Sequence, residues 1–234
     1  MEVINMSKKQ KAIVVLSGGM DSTTLLYDTV NRGYEVYAIS FDYNQKHRLE
    51  LEMAAATCKK LKVSHKVLNI GVLNEVAPSA LTRKDWKVPT GHYAGENMKQ
   101  TVVHNRNMVM LALAASYAQA LKATKLFYGA HAGDHTIYPD CRPEFVKQLT
   151  KAIRISDWTR VELRAPYMYK DKGDIAKIGT KLGVDYSLTL TCYNGKKIAC
   201  GKCGACTERI EAFAKAKAKD PIQYEGGCCE CKKK

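Results

Sequence analysis

Apolar positions in this chain follow two rhythms. Short runs rich in Val, Ile and Leu alternate with longer stretches where apolar residues recur every third or fourth position. The runs predict buried parallel strands at 11–16, 34–40, 65–70, 125–129 and 161–165. The stretches predict helices at 21–31, 45–62, 104–122, 143–158, 172–182 and about 207–217. Pro143 falls in a first turn and Gly183 just past a last one, as helix starts and stops prefer. Alternating strands and helices predict an α/β fold built on a doubly wound parallel sheet. Residues 71–100 break the rhythm and read as an excursion or a mobile lid. No internal repeat occurs, and 226–234 reads as a mobile tail.

The first strand, Ala12-Ile13-Val14-Val15-Leu16, runs into Ser17-Gly18-Gly19-Met20-Asp21-Ser22 and then into Thr23-Thr24-Leu25-Leu26. Strand, glycine turn and helix start form a phosphate cradle, because backbone N–H groups converge at a helix N-terminus. Hydroxyls of Ser17, Ser22 and Thr23 add donors, and Asp21 suits a magnesium ion held between phosphates. The G-x-x-x-x-G-K-[ST] spacing is absent from the chain. A loop without that lysine, holding pyrophosphate, suits attack at the α-phosphorus of ATP, which leaves an adenylate. The bland alternative is a polar turn with a helix cap at Asp21 or Ser22.

Composition narrows the class. The chain has 234 residues with 46% apolar content, enough for one sizeable domain with a small appendage. No eighteen-residue apolar run predicts a membrane span, and the N-terminus lacks a secretory-signal layout, so a cytoplasmic protein is expected. Met6 reads as a possible second start. The net charge of +14 fits either a solvated basic surface or an anionic partner such as ATP, an acidic small substrate or nucleic acid. The charge is spread rather than gathered into one segment, which argues against direct nucleic-acid binding.

Nine cysteines are many for this length. Cys192, Cys200, Cys203 and Cys206 have the spacing C-x7-C-x2-C-x2-C, with Gly201 and Gly204 loosening the backbone between them. Four thiolates converging this way suit one structural zinc ion, Zn2+, in a closed tetrahedral site. An iron–sulfur cluster or a redox pair are the other readings of such spacing. Cys228, Cys229 and Cys231 read as dispensable; Cys58 and Cys141 read as packing residues.

Taken together, the motifs resemble a known family. S-G-G-M-D-S-T-T is similar to the pyrophosphate loop (PP-loop) of N-type ATP pyrophosphatases. Further strings match the 7-cyano-7-deazaguanine synthase (QueC) family within that group. These are Phe41-Asp42-Tyr43-Asn44-Gln45-Lys46-His47, Asn105-Arg106-Asn107, Gly133-Asp134, Tyr138-Pro139-Asp140-Cys141-Arg142-Pro143-Glu144-Phe145 and the four-cysteine pattern. The resemblance spans roughly 11–225, divided into a PP-loop domain at 11–185 and a zinc-binding segment at 186–225. Departures are Asn44 for a common glycine, His104 for a common proline, and the 226–234 tail.

The resemblance implies an ATP-dependent carbon–nitrogen ligase acting on 7-carboxy-7-deazaguanine and ammonia, and a homodimer. Adenylation turns a carboxylate into an acyl donor, ammonia gives the amide, and a second adenylation leads to the nitrile. Nucleotide contacts are expected from Leu16 through the loop to Thr23, Thr24, Leu25 and Leu26. Asp21, Ser22, Lys46 and Arg106 are the catalytic candidates, the last two for the carboxylate or α-phosphate. Tyr43, His47, Asp134, Tyr138, Asp140 and Arg142 are the substrate candidates, with Tyr43 or Tyr138 for stacking. His47 or His131 is the candidate proton acceptor. Three rivals remain open at this stage: a reaction ending at the amide, a PP-loop tRNA thiolase, and a non-catalytic zinc-ribbon binder of nucleic acid.

Overall fold

The computed structural model describes residues 9–91, 93 and 95–225; the 226–234 tail and its cysteines lie outside the described residues. Five strands form one parallel sheet: β1 (Lys11–Val15), β2 (Glu35–Asp42), β3 (Ser64–Asn69), β4 (Lys125–Phe127) and β5 (Glu162–Arg164). Their order is β3-β2-β1-β4-β5, with Ala12 opposite Val36 on one side of β1 and Lys125 on the other. The helices are α1 (Met20–Asn31), α2 (Leu49–Leu61), α3 (Leu73–Val76), α4 (Arg106–Ala120), α5 (Pro143–Ile155), α6 (Lys172–Lys181) and α7 (Gly204–Ala216).

Side chains alternate across a strand, so β1 feeds two cores. Ile13 joins Ile39, Leu126 and Leu163 beneath α4 and α5. Ala12 and Val14 turn the other way, toward Leu25 and Leu26 of α1 and Ile175 of α6. The chain leaves β1 for β2 and β3, then returns past β1 to β4 and β5. That reversal opens a crevice above the carboxyl ends of β1 and β4, where open α/β sheets bind ligands.

Two predicted helices begin later than expected. The 45–62 helix starts at Leu49, because Asn44 is left-handed at φ 60° and the Gln45 side chain binds the turn. Gln45 accepts the Tyr43 N–H at 2.9 Å and donates to the Phe41 carbonyl at 3.2 Å. Such local bonds compete with helix. Left-handed Asn105, φ 59°, likewise delays α4 to Arg106. The last helix starts early, at Gly204, with Cys203 as its N-cap.

The 71–100 excursion is pinned to the rest of the chain. The Lys46 N–H donates to the Leu81 carbonyl at 2.8 Å, and the Gly91 N–H to the Lys202 carbonyl at 3.2 Å. A bridge pairs Thr90 with Cys203.

Candidate active site

A cavity of about 260 Å³ lies at the crevice. Ser17, Gly19, Met20, Asp21 and Ser22 form its floor. The loop holds its own shape: the Ser17 N–H donates to Ser22 Oγ at 3.1 Å, the two hydroxyls lie 2.9 Å apart, and the Gly19 N–H reaches Ser17 Oγ at 3.2 Å. Gly18 is left-handed at φ +92°, and a Cβ there would lie 1.9 Å from the Glu50 carbonyl oxygen. Only glycine fits. Helix α1 starts at Met20 without a side-chain cap, which leaves first-turn N–H groups for an anion.

Four residues of the expected nucleotide-binding run, Thr23 to Leu26, stand outside the cavity lining. Thr24 Oγ1 donates to the Met20 carbonyl at 2.8 Å and lies 2.8 Å from the Tyr186 hydroxyl. Leu25 and Leu26 pack into the core beneath β1. Thr23 is fully buried. One turn into α1 the side chains already face the sheet, so none of these four lines the cavity, whereas Leu16 does.

Above the loop sits a charged network. Asp21 Oδ2 is 3.4 Å from Lys172 Nζ and 3.7 Å from His131 Nε2, and His131 Nε2 is 3.5 Å from Asp134 Oδ2. Lys172 also donates to Glu208 of α7. Burial opposes the Lys172 ammonium, but Asp21, Glu208 and Asp134 outweigh it and hold its pKa above the ordinary lysine value. The Gly133 N–H donates to His131 Nδ1 at 3.1 Å, which leaves the proton of a neutral imidazole on Nε2, facing the carboxylates. Asp21 Oδ1 is buried with no hydrogen-bond partner among the described residues. A carboxylate oxygen left bare in this way fits a hard cation.

A second group lines the cavity. Arg106 donates to the Tyr43 hydroxyl at 3.3 Å and sits 5.7 Å over its ring. His47 Nε2 and Glu50 Oε1 are 3.4 Å apart. Burial pushes the Glu50 carboxyl up to about 8, against weaker opposing effects of Gln45 and Arg106. Burial, helped by Arg106, pushes His47 down to about 4. Tyr138 also lines the cavity, its hydroxyl 2.8 Å from Thr101 Oγ1.

Three candidates point elsewhere. Lys46 donates to the Trp86 carbonyl in the excursion, outside the cavity lining. Asp140 Oδ2 accepts the Asn107 N–H at 3.2 Å and so caps α4. Arg142 is exposed and donates to the His135 carbonyl at 2.8 Å. Asp21, Ser22, Tyr43, His47, Arg106, Asp134 and Tyr138 do line the cavity. The reading of the sequence missed Lys172, Glu208 and Glu50. Lys172 and Glu208 stand in segments that look like ordinary surface helices, and their only sequence signal is a charge near a helix start.

Cys192, Cys200, Cys203 and Cys206 are all buried, and their sulfurs lie within 4.8 Å of one another. The Cys200 N–H donates to Cys192 Sγ at 3.4 Å and the Cys203 N–H to Cys200 Sγ at 3.3 Å. Cys200 and Cys206 sulfurs are 3.9 Å apart. A tetrahedral site with metal–sulfur bonds of about 2.3 Å sets sulfurs about 3.8 Å apart, so these residues fit one ion. The cluster grips the N-terminus of α7, two residues before Glu208. Buried Arg209 anchors the same helix through Asp220 at 2.8 and 2.9 Å and Thr189 at 2.7 Å.

The sheet and its glycine loop define an α/β protein of the pyrophosphate-loop class. The chain belongs to the family described as queuosine biosynthesis protein QueC, which matches residues 11–217. Relatives named 7-cyano-7-deazaguanine synthase are 64% identical in Caldicellulosiruptor saccharolyticus (92% of this chain, 96% of that one) and 61% identical in Methanoregula boonei (92% and 99%). Another, from Pseudoalteromonas atlantica, is 51% identical over 92% of this chain and 99% of its own. Among solved structures, NMN synthetase from Francisella tularensis gives a TM-score of 0.49 at 13% identity, over 93% of this chain and 81% of that one.

Proposed function

We propose that this protein is a 7-cyano-7-deazaguanine synthase, joining 7-carboxy-7-deazaguanine and ammonia to give the nitrile with two ATP molecules. Membership of the family supports this reading, and one observation carries it at the site. The Ser17–Ser22 loop shares a single cavity with Arg106 and with Lys172, which pairs with Asp21 of the loop.

The loop N–H groups and Ser22 hold the pyrophosphate end of ATP. Lys172 stands beside Asp21 and neutralises charge on the departing pyrophosphate. Arg106 orients the substrate carboxylate, which attacks the α-phosphorus; Tyr43 and Tyr138 offer ring faces to the deazapurine, and Asp134 accepts its N–H groups. Asp21, through Oδ1, is the residue that would hold magnesium, which supplies charge stabilisation to the phosphates when bound. Ammonia displaces AMP, and the same loop then adenylates the amide oxygen. The four cysteines hold zinc in a closed site that orders α7. The division at 185/186, a homodimer and a cytoplasmic location belong to the same reading.

Mixing the protein with ATP, magnesium, ammonium and the carboxy base tests it directly. Nitrile and AMP by mass are expected, at two AMP per nitrile. Amide alone places the endpoint one step earlier; no AMP at all sinks the assignment.

A further inference from the structure

Glu50 has no part in the chemistry above, yet its environment is unusual. It is 8% exposed on the first turn of α2, with its main-chain oxygen against Gly18 and its side chain lining the cavity. Oε1 accepts from Gln45 Nε2 at 3.3 Å and lies 3.4 Å from His47 Nε2. Oε2 takes no hydrogen bond from any described residue. Behind it, His47 Nδ1 is buried with no hydrogen-bond partner among the described residues. A buried carboxyl with one open oxygen, backed by a half-satisfied imidazole, is costly to keep unless it is used.

The reaction sets a requirement that such a group meets. Ammonium carries four protons on nitrogen, an amide two and a nitrile none. Each half of the reaction therefore strips two protons from one nitrogen. That atom stays in place, because the amide formed in the first half is the substrate of the second.

We propose that Glu50 is the proton acceptor for the reacting nitrogen in both halves, its open oxygen facing the cavity. This inference rests on the synthase reading above. In the first half Glu50 takes a proton from ammonium and frees the lone pair. The C–N bond forms, the C–O bond to AMP breaks, and AMP leaves with the electron pair. A second proton then leaves nitrogen for Glu50 once the first has passed to water in the cavity. In the second half the adenylated amide gives up its two remaining N–H protons by the same route. The C–O bond to AMP breaks and the third C–N bond forms.

The electrostatics agree. The groups facing Glu50 are Gln45 and His47 from the preceding turn, Tyr43 from the end of β2 and Arg106 from α4; Cys192 and Tyr193 face His47 from the cysteine segment. A carboxyl held at about 8 by burial is matched to exchange protons near neutrality.

The test is Glu50→Gln, which keeps shape and one hydrogen bond. With ammonium, amide formation should fall roughly 10²–10⁴-fold, the usual contribution of a general base. Release of pyrophosphate with the carboxy base should persist, and the acyl-adenylate should accumulate. Hydroxylamine, already neutral at assay pH, should restore acyl transfer and give the hydroxamate. Supplied amide should still be adenylated but should yield nitrile slowly. In the unaltered protein, the nitrogen steps should depend on a group titrating near 8 that adenylation does not need. A variant that turns over ammonium at the unaltered rate overturns the proposal, as does one that cannot form the adenylate, or a pH profile without that limb. The unaltered protein separates the two readings. If it makes no amide, the synthase assignment fails; if it does and the variant matches it, only the role of Glu50 fails.

Discussion

A Cβ at Gly18 would stand 1.9 Å from the Glu50 carbonyl, in a backbone conformation that L-residues avoid. Gly18→Ala should therefore cost roughly 2–4 kcal/mol from strain and overpacking together, visible as a lower Tm. Asp21→Ala should act differently. Its Oδ2 pairs with Lys172, which keeps Glu208 as a partner, so AMP formation should vanish while the fold and the metal content persist at a modest cost in stability. Full activity in that variant would remove Asp21 from the chemistry. At this scale the sequence was legible where candidate residues are consecutive. Ser17 to Ser22 form one loop, and local geometry alone sets its shape. Glu50, Lys172 and Glu208 meet only because α2, α6 and α7 converge, and no local pattern reports that convergence. Lys46 and Asp140 stand outside the cavity lining for the opposite reason. Each lies inside a telling string, but the turn at Asn44 sends Lys46 outward, and Asp140 is used to cap α4.

Among the elements, α7 joins two kinds of anchoring. Cys203 caps it and Cys206 lies in its first turn, while Arg209 is fully buried against Asp220. Cys203→Ser should lower bound metal and soluble yield, measured by metal analysis of the purified protein. A folded, active, metal-free variant would end the structural role. Arg209→Met should cost about 3–5 kcal/mol, because it leaves Asp220 without its buried partner; denaturant melts would read this. Both changes should also reduce activity, since Glu208 of the same helix is the ion-pair partner of Lys172 on α6. Helix existence was legible from periodicity, but helix starts were not. Asn44, Asn105 and Cys203 each shift a boundary through a turn or a cluster that hydrophobic spacing does not encode.

For the whole molecule, stability should carry the mark of the His47–Glu50 pair. The folded protein holds Glu50 at about 8 against an ordinary value of 4.5, and His47 at about 4 against 6.5. Between 4.5 and 6.5 the unfolded chain has bound a proton at the histidine and lost one at the glutamate, so the two effects cancel. From 6.5 to 8 only Glu50 differs. The folded state holds the extra proton there, and stability falls with rising pH by up to about 1.4 kcal/mol per unit. Thermal melts across that window should show the decline, and Glu50→Gln should flatten it. An unchanged slope in the variant would show that Glu50 ionises as freely folded as unfolded.

The parallel α/β class was legible in the alternation of elements, but the strand order was not, because buried parallel strands all look alike in sequence. That order matters beyond catalysis. On the ribosome, β2 can pair with β1 on one side and β3 on the other once about seventy residues have emerged, while the other flank of β1 waits for β4, more than fifty residues later. Throughout that interval the strand carrying the glycine loop presents an unpaired apolar edge. The nascent half-sheet is thus the species most exposed to aggregation, and slow translation between β3 and β4 would lengthen its risk.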